Sequence, residues 1–584
     1  MASDPHAALT PLDHASIAEA QSLARRARAA QGVLAELSQT QIDAIVDAMA
    51  AAALAEVEPL ARLACDETGY GVVADKREKN LFAARDVHAF IRPMKTVGVV
   101  ARHDDRRVVE IAEPFGVVAA IVPSTNPTST TIYKLLISIK ARCAVVISPH
   151  PSAARCITRT AEIMTDAGRR AGLPDGAIGC MTAVSLPGTQ ALMRAREVAV
   201  ILATGGLGLV RAAYSAGKPA YGVGPGNAPC YVEASADVAK AADDILAGKS
   251  FDHGVLCSSP NSVVVDVAVA PALKAAFQAG GGHFLSPAET EQLAKVLILP
   301  TRLPNPALVG KSAVHIAAQV GIAAPAGTRA LIAPLAGVGR DHPLSIEKLC
   351  PVLSYYEVAD WREGCERARQ ILHYGGMGHT MSIHSRNEQV ILEFGLHKPA
   401  FRICVNTPTT FGSIGLTTGL DPAMTLGCGG YGGNITSDNI TPRHLLNIKR
   451  LAYEVRPRGA RRPASAAPAA TESPLRSAVP ALPQAPHRPA PDALPADQVS
   501  ASIDRYLGSL GSQSSPGSLG ASAPPTTPAP LPGPPAAFVC EDDVRVAVRN
   551  GARILVGPRT IVTPSARDAG AAADVFVWLS GAAR

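Results

Sequence analysis

The 584-residue sequence lacks three features that would each point to a large class of proteins. No apolar run reaches the length of a membrane helix, and none opens the chain, so we expect no membrane contact. Eleven cysteines form neither a Cys-x-x-Cys pair nor a metal-like cluster, which favours reduced thiols in a cytoplasmic protein without a metal site. A net charge of +6 with scattered basic residues argues against nucleic-acid binding.

One cysteine lies in a context that indicates chemistry. Cys257 follows a glycine-rich turn at residues 222–227, and a strand-like run ending in the small residues 203–208 precedes that turn. A strand, a glycine turn that can approach a phosphate closely, and a cysteine among small residues suggest a dinucleotide enzyme with a thiolate nucleophile.

The order and wording of these segments resemble the aldehyde dehydrogenase superfamily, and within it the CoA-acylating branch, over residues 19–453. The resemblance implies an α/β fold with a Rossmann-type cofactor domain and an α/β catalytic domain. Hydrolytic members carry a glutamate at the matching turn, where it activates water, but residues 222–227 contain no acid. A thiol such as coenzyme A needs less help from a base, so the missing acid favours acyl transfer to CoA. A glutamate supplied from elsewhere in the chain is the alternative.

The resemblance also implies roles for four side chains. Cys257 matches the nucleophile, and Asn126 matches the asparagine that stabilises the oxyanion together with the cysteine N–H. As an alternative, an asparagine before a proline is an ordinary turn residue. His379 matches a histidine of the acylating branch that assists proton movement or contacts CoA, although a lone histidine is also a common structural residue. Glu347 matches the glutamate that touches the nicotinamide ribose, where a surface ion pair would look the same.

Cofactor binding is predicted from two further segments together with the glycine turn. The resemblance implies that the adenosine ribose lies at the end of the strand after Cys143, and that residues 204–208 form the turn that opens the helix facing the pyrophosphate. NAD is preferred, but NADP is not excluded, because neither a ribose-binding acid nor a phosphate-binding arginine stands out. The predicted cofactor residues are Ser148, Pro149, His150, Thr204, Gly205, Gly206, Gly208, Gly224 and Gly226, with Glu347.

Composition divides the chain into parts. Residues 1–247 are predicted to contain N-terminal helices and the NAD-binding domain, a doubly wound α/β sheet that residues 416–456 complete. Residues 248–415 form the predicted catalytic domain with Cys257 near its start. The sequence contains no internal repeat.

The C-terminal part has a different texture. Residues 457–537 are rich in alanine, proline and serine, which predicts a disordered, flexible linker. Within it, residues 497–507 place Val499, Ile503, Tyr506 and Leu507 on one face of a short helix that implies a partner surface. This segment resembles the encapsulation peptides that tether enzymes inside bacterial microcompartments, and the alternative is a chance amphipathic stretch. Residues 538–584 regain an ordered texture and are a candidate docking module.

Together these features predict an oxidoreductase that converts a short-chain aldehyde, propionaldehyde or acetaldehyde, with CoA and NAD to acyl-CoA and NADH. We expect a homo-oligomer in the cytoplasm, inside a microcompartment lumen and bound to a shell protein through residues 497–507. One alternative is a non-catalytic scaffold of the same fold. Another is an acylating enzyme for a different aldehyde, such as sulfoacetaldehyde or a semialdehyde.

Overall fold

The structure is a computed structural model that describes residues 9–456 and, with short gaps, residues 536–578. The chain divides into two compact units, residues 1–463 and residues 464–584. The predicted linker and the predicted helix at residues 497–507 lie outside the described residues.

Helices dominate the first 91 residues, as the sequence predicts. Thr10 and Ser38 begin the first two helices with reciprocal capping bonds, in which the side chain accepts from the third residue of the helix and that residue's side chain accepts in return. The helices are α1 (Pro11–Ala35), α2 (Gln39–Ala55), α3 (Val57–Thr68), α4 (Val73–Leu81) and α5 (His88–Ile91), with a π-helical turn at Phe82–Val87 between the last two.

A five-stranded parallel sheet follows. The elements of this part are β1 (Gly98–His103), β2 (Val108–Pro114), β3 (Val117–Val122), α6 (Pro127–Lys140), β4 (Val145–Pro149), α7 (Ala154–Arg170), β5 (Ile178–Cys180), α8 (Leu186–Arg194), β6 (Val198–Thr204), α9 (Leu207–Tyr214) and β7 (Ala220–Val223). The strand order is β5-β4-β3-β6-β7, with every pair parallel. Two apolar cores lie on its faces, so β3 is buried along its whole length. The predicted doubly wound sheet is confirmed.

A second, seven-stranded sheet carries the predicted catalytic part. Its elements are β8 (Pro229–Val232), α10 (Val238–Ser250), β9 (Ser262–Asp266), α11 (Ala270–Ala279), β10 (Gly282–Phe284), α12 (Pro287–Leu297), α13 (Ala313–Gln319), β11 (Ala330–Pro334), β12 (Val352–Val358), α14 (Trp361–Tyr374), β13 (Met381–His384), α15 (Glu388–His397), β14 (Ile403–Val405) and α16 (Thr409–Gly412). The parallel strands follow the order β10-β11-β12-β9-β8-β13-β14. The chain changes sheets between β7 and β8, earlier than the predicted boundary at residue 247. The short buried strand β8 thus belongs to the second sheet, although its sequence lies within the range predicted for the NAD-binding domain.

After residue 416 the chain packs again against the first sheet. Ala423, Leu426, Ile440 and Leu445 pack into the same core as β3 and β4. The strand β15 (Leu446–Ala452) then pairs with β2 in a three-stranded antiparallel sheet of order β1-β2-β15.

The described part of the C-terminal unit is small and ordered around one core. Its elements are β16 (Phe538–Val539), α17 (Glu541–Arg549), β17 (Ile554–Val556), β18 (Ile561–Val562) and β19 (Phe576–Trp578). Strand β16 pairs with β18 and β17 pairs with β19, both in parallel. The side chains of Val544, Val556 and Phe576 are buried in the core. Within the residues described in either unit, no helix combines the length and apolar character needed to cross a membrane.

Candidate active site

The loop that carries Cys257 begins with an unusual backbone. Asp252 and His253, in a short turn at Phe251–Gly254 after α10, both adopt left-handed conformations with φ of 49° and 53°. Such conformations are unfavourable for residues with a Cβ, by about 1–2 kcal/mol each. Contacts to Asp252 offset that cost: its N–H donates to Asp75 at 2.7 Å, and its carboxylate accepts from the N–H of Val72 at 2.8 Å. The loop is therefore fastened to the N-terminal helices.

Cys257 lies half-buried against the glycine turn. A Cβ built on Gly226 would stand 2.0 Å from the carbonyl oxygen of Cys257, so only glycine permits this contact. Burial raises the pKa of the Cys257 thiol to about 12, and the nearby Glu347 acts in the same direction. The resting side chain is thus a protonated thiol at neutral pH.

Glu347 reaches the same turn from the loop before β12. Its Oε1 accepts the N–H of Gly226 at 2.8 Å. Burial raises the pKa of the Glu347 carboxyl to about 8, although the Gly226 bond works against the shift. The turn contains no acid of its own, but Glu347 brings a carboxyl to it from another part of the chain, which is the alternative raised by the sequence. At neutral pH that acid is protonated, so it is a poor base for activating water.

Asn126 immediately precedes α6 and is buried. Its Oδ1 accepts a hydrogen bond from Lys79 Nζ at 2.7 Å, and its Nδ2 donates to Thr125 Oγ1 at 3.1 Å. Lys79 also forms a short ion pair with Asp252. Asn126 is thereby linked to the loop of Cys257 through two side chains.

His379 is fully buried just before β13. Its Nδ1 lies 3.0 Å from Thr380 Oγ1, and its Nε2 has no hydrogen-bond partner among the described residues. Burial and the nearby Arg402 lower the pKa of His379 to about 3, so the imidazole is neutral. A Cβ on Gly226 would lie 3.4 Å from Nδ1, which places His379 at the turn that also contacts Cys257 and Glu347.

Comparison with known proteins agrees with this arrangement. The model of the aldehyde dehydrogenase family matches residues 5–280. The crystal structure of an acetylating aldehyde dehydrogenase from Geobacillus thermoglucosidasius is 48% identical, with a TM-score of 0.75, over 77% of this chain and 99% of that one. The chain belongs to the aldehyde dehydrogenase family.

Two further relatives extend this assignment. The bifunctional aldehyde-alcohol dehydrogenase AdhE of Escherichia coli is 40% identical over 75% of this chain. The match covers 50% of AdhE, so this chain spans about half the length of that relative. A propionaldehyde dehydrogenase from the fucose utilisation microcompartment of Clostridium phytofermentans is 27% identical over 74% of this chain and 97% of that one, with a TM-score of 0.68. The predicted fold and the predicted resemblance to acylating members of the family are confirmed.

Within this aldehyde dehydrogenase fold, the predicted pyrophosphate turn fits a dinucleotide. The hydroxyl of Thr204, at the end of β6, is buried without a hydrogen-bond partner among the described residues. Gly206 and Gly208 border open space, where even a Cβ would meet nothing within 4 Å, and Gly205 lies beside Leu209 at the start of α9. An unsatisfied hydroxyl and open backbone at a helix N-terminus suit an anionic group.

The other predicted cofactor residues differ in what they offer. The hydroxyl of Ser148 is buried and bonded to Thr189 Oγ1 at 2.8 Å, whereas His150 is exposed beyond Pro149, at the end of β4. Gly226 packs on Cys257, while a Cβ at Gly224 would meet only Leu207, at 3.6 Å. The contacts of these residues with a cofactor stay predictions.

Three residues of the site are not predicted from the sequence. Lys79 and Asp252 connect Asn126 to the Cys257 loop, and Arg402 Nη1 donates to the carbonyl of His379 at 2.9 Å. One signal was present, since Lys76 and Lys79 stand three positions apart on α4 and Asp252 closely precedes Cys257. Charged residues so close to a nucleophile are candidates for the site.

Proposed function

We propose that the protein oxidises a short-chain aldehyde with NAD and transfers the acyl group to CoA. The observation that carries this proposal is the acid-free turn at residues 222–227, which contacts Cys257. Among the described residues, the carboxyl that bonds to this turn is that of Glu347, which is neutral at pH 7. Without a base to activate water, hydrolysis of the thioester on Cys257 is slow. A thiol such as that of CoA is a better nucleophile and can accept the acyl group.

The residues divide the work as follows. The Cys257 thiol first releases its proton to water, and the resulting thiolate Sγ attacks the aldehyde carbonyl. The carbonyl oxygen that becomes negative is stabilised by the Nδ2–H of Asn126 and the N–H of Cys257. NAD held at Thr204 and the N-terminus of α9 would supply the hydride acceptor. The acyl group then remains on Cys257 until the CoA thiolate attacks it and the cysteine thiolate leaves. With a pKa of about 3, His379 suits a hydrogen-bond contact to CoA better than the removal of a proton.

A small pocket supports an apolar substrate. It has a volume of about 190 Å³ and is lined mainly by the apolar side chains of Phe82, Phe251, Leu256, Phe411, Ile414 and Leu416. Leu256, which lines the pocket, directly precedes Cys257 in the chain, and this supports the pocket as the aldehyde site. The two cationic side chains at its wall are already paired, Lys79 with Asp252 and Arg85 with Asp86. Propionaldehyde or acetaldehyde suits this lining better than an anionic aldehyde such as a semialdehyde or sulfoacetaldehyde.

Location and assembly are part of the same proposal. The amphipathic pattern at residues 497–507 supports attachment to a microcompartment shell protein, and a shell would retain a volatile aldehyde. The propionaldehyde dehydrogenase with a similar fold comes from such a compartment. We further propose a cytoplasmic homo-oligomer within that lumen. Cys257 and His379 meet at one turn, and Asn126 is linked to the Cys257 loop through Lys79 and Asp252, an arrangement that disfavours a scaffold without activity.

The deciding experiment assays an aldehyde panel with NAD, with and without CoA. With CoA, propionaldehyde and acetaldehyde should give sustained NADH and acyl-CoA, whereas succinate semialdehyde and sulfoacetaldehyde should react more slowly. Without CoA, NADH should stop at one equivalent of enzyme. Sustained production of free acid without CoA would instead identify a hydrolytic enzyme and make Glu347 its candidate base.

A further inference from the structure

A buried charged cluster lies between α4 and the loop of Cys257. Its members are Lys76, Lys79 and Asp252, whose side chains are all at most 3% exposed. Removing charges from water costs several kcal/mol per ion, and mutual attraction often fails to repay that cost. Apolar side chains would fill the same space more cheaply. A cluster of this kind therefore invites a functional explanation.

The two lysines have different contacts. Lys76 Nζ donates to Asp252 at 2.9 Å and approaches the carbonyl of Thr125 at 3.4 Å. Lys79 Nζ also contacts Asp252, and it lies 3.5 Å from the carbonyl oxygen of Thr125. Of the two lysines, only Lys79 donates to Asn126 Oδ1, at 2.7 Å. The two residues thus share a partner, a helix and their degree of burial, and they differ in one hydrogen bond.

That hydrogen bond determines how the Asn126 amide is oriented. An ammonium group has only donors, so the amide oxygen must face Lys79 and the amide nitrogen must face away. One Nδ2–H is used by Thr125, which leaves the second for a ligand. Positive charge at Oδ1 also polarises the amide and makes its N–H a stronger donor, an effect that water does not screen at a buried site.

Asp252 connects this arrangement to the second oxyanion donor. It holds Lys79 through the ion pair and, through its bonds to Val72 and Asp75, fixes the left-handed start of the loop that ends at Cys257. The same residue therefore supports both Asn126 and the backbone of the loop that carries the nucleophile.

We propose that Lys79 is a positioning residue for the oxyanion site, which acts through Asn126 and is held in place by Asp252. The inference rests on the proposed function in that it takes Asn126 as an oxyanion donor. Lys79 lies at the wall of the proposed aldehyde pocket, but its ammonium group is bonded to Asn126 and Asp252, so in this role it acts on the substrate through Asn126. Its loss should lower the rate of the chemical step and leave substrate binding nearly unchanged.

The test compares Lys79→Met with Lys76→Met, a matched control that removes the same charge from the same cluster. Acylation of Cys257 by p-nitrophenyl acetate, without NAD or CoA, reports on the nucleophile and the oxyanion site even if the aldehyde is misassigned. NAD reduction with propionaldehyde and CoA is measured in parallel. Lys79→Met should lower the acylation rate and kcat at least tenfold with KM changed less than about threefold, whereas Lys76→Met should keep both rates within about threefold.

A double-mutant cycle separates positioning from general destabilisation. In an Asn126→Ala background, adding Lys79→Met should cost less than about twofold more, because the residue through which it acts is already gone. Equal losses from the two lysine variants, fully multiplicative losses in the cycle, or a wild type that is not acylated would each overturn the inference. If the methionine variants do not fold, Lys79→Gln and Lys76→Gln replace them, with the same expected contrast. A wild type that is acylated but does not reduce NAD would overturn the proposed function alone.

Discussion

The N–H of Gly226 donates to the carboxyl of Glu347 at 2.8 Å, although the two residues are 121 positions apart. This bond brings an acid to a turn that has none of its own and places it near Cys257. The protonation state of that acid therefore bears on the choice between water and CoA. With the pKa of Glu347 raised to about 8 by burial, the neutral carboxyl accepts the Gly226 N–H without offering a base.

We expect Glu347→Gln to retain CoA-dependent turnover at pH 7 within about tenfold, because a neutral amide resembles the protonated acid. The folded protein holds the Glu347 proton up to about pH 8, whereas the unfolded chain releases it near the ordinary pKa of glutamate. The folded state binds more protons within that window, so this group makes wild-type stability fall as pH rises through it.

The glutamine variant lacks this titration. The melting temperature of the variant minus that of wild type should therefore increase as the pH is raised from 5 to 8. Thermal melts at each pH measure this difference. A constant difference across that range would contradict the raised pKa. Complete loss of turnover at pH 7 would show that Glu347 acts as a charged group.

Gly226→Ala should damage the site through sterics alone. The added Cβ would lie 2.0 Å from the carbonyl oxygen of Cys257, so the turn or the loop must move. We expect a lower melting temperature and an acylation rate reduced by at least about tenfold, since misplacing the reacting groups by about 1 Å can cost 10²-fold. Gly224→Ala is the steric control, because its Cβ meets only Leu207, at 3.6 Å. Its melting temperature should match wild type, and equal damage in the two variants would contradict the explanation.

The nucleophile can be tested by alkylation as well as by turnover. Because burial raises the pKa of Cys257 to about 12, its alkylation by iodoacetamide should be slow at pH 7 and rise about tenfold per pH unit up to pH 10, without a plateau. Cys257→Ala should abolish NAD reduction while leaving cofactor binding nearly intact. Any turnover above a trace would assign the chemistry to another cysteine.

Asn126→Ala should lower turnover by about 10²–10³, the usual scale for one lost oxyanion donor. The measurement is kcat with a saturating aldehyde, and the melting temperature serves as the control for folding. A loss of only a few-fold would return Asn126 to the role of an ordinary turn residue before Pro127.

Periodicity and glycine placement predicted the two α/β regions, because buried parallel strands appear as short apolar runs between helical stretches. Cys257 and the turn at residues 222–227 were found because they are local patterns. Glu347 contacts that turn at Gly226, 121 positions away in the sequence, and Lys79 contacts Asp252, 173 positions away. Nothing in the local sequence of either partner specifies the other, since both contacts arise only when separate elements pack. The placement of β8 in the second sheet is hard to predict for a related reason, because the sequence of a four-residue strand does not specify which sheet it joins.

His379 should act in the CoA-dependent half of the reaction. Since its pKa is lowered to about 3, its protonation does not change between pH 5 and pH 9, and it should add no inflection to the rate profile in that range. We expect His379→Ala to slow steady-state turnover with CoA at least about tenfold while preserving the burst of NADH without CoA. Thr380→Val, which removes the partner of Nδ1, should have a smaller effect of the same kind. Loss of the burst in His379→Ala would place the residue in the first half of the reaction.

The C-terminal extension should be dispensable for catalysis and necessary for location. Removing residues 457–584 should leave an active enzyme, because the described elements of the first unit end with β15 at Ala452. The truncated enzyme should no longer associate with a shell. Changing both Ile503 and Leu507 to Asp should act like the truncation, since each charge removes burial of a large apolar side chain, roughly 1.5–3 kcal/mol. Replacing Ser502 and Arg505, outside the apolar set, with Asp is the matched control and should leave association intact.

The measurement is the distribution of a fluorescent reporter fused to residues 457–584 in cells that make the matching shell. A reporter that stays diffuse there would contradict the targeting proposal and leave the extension to some other partner.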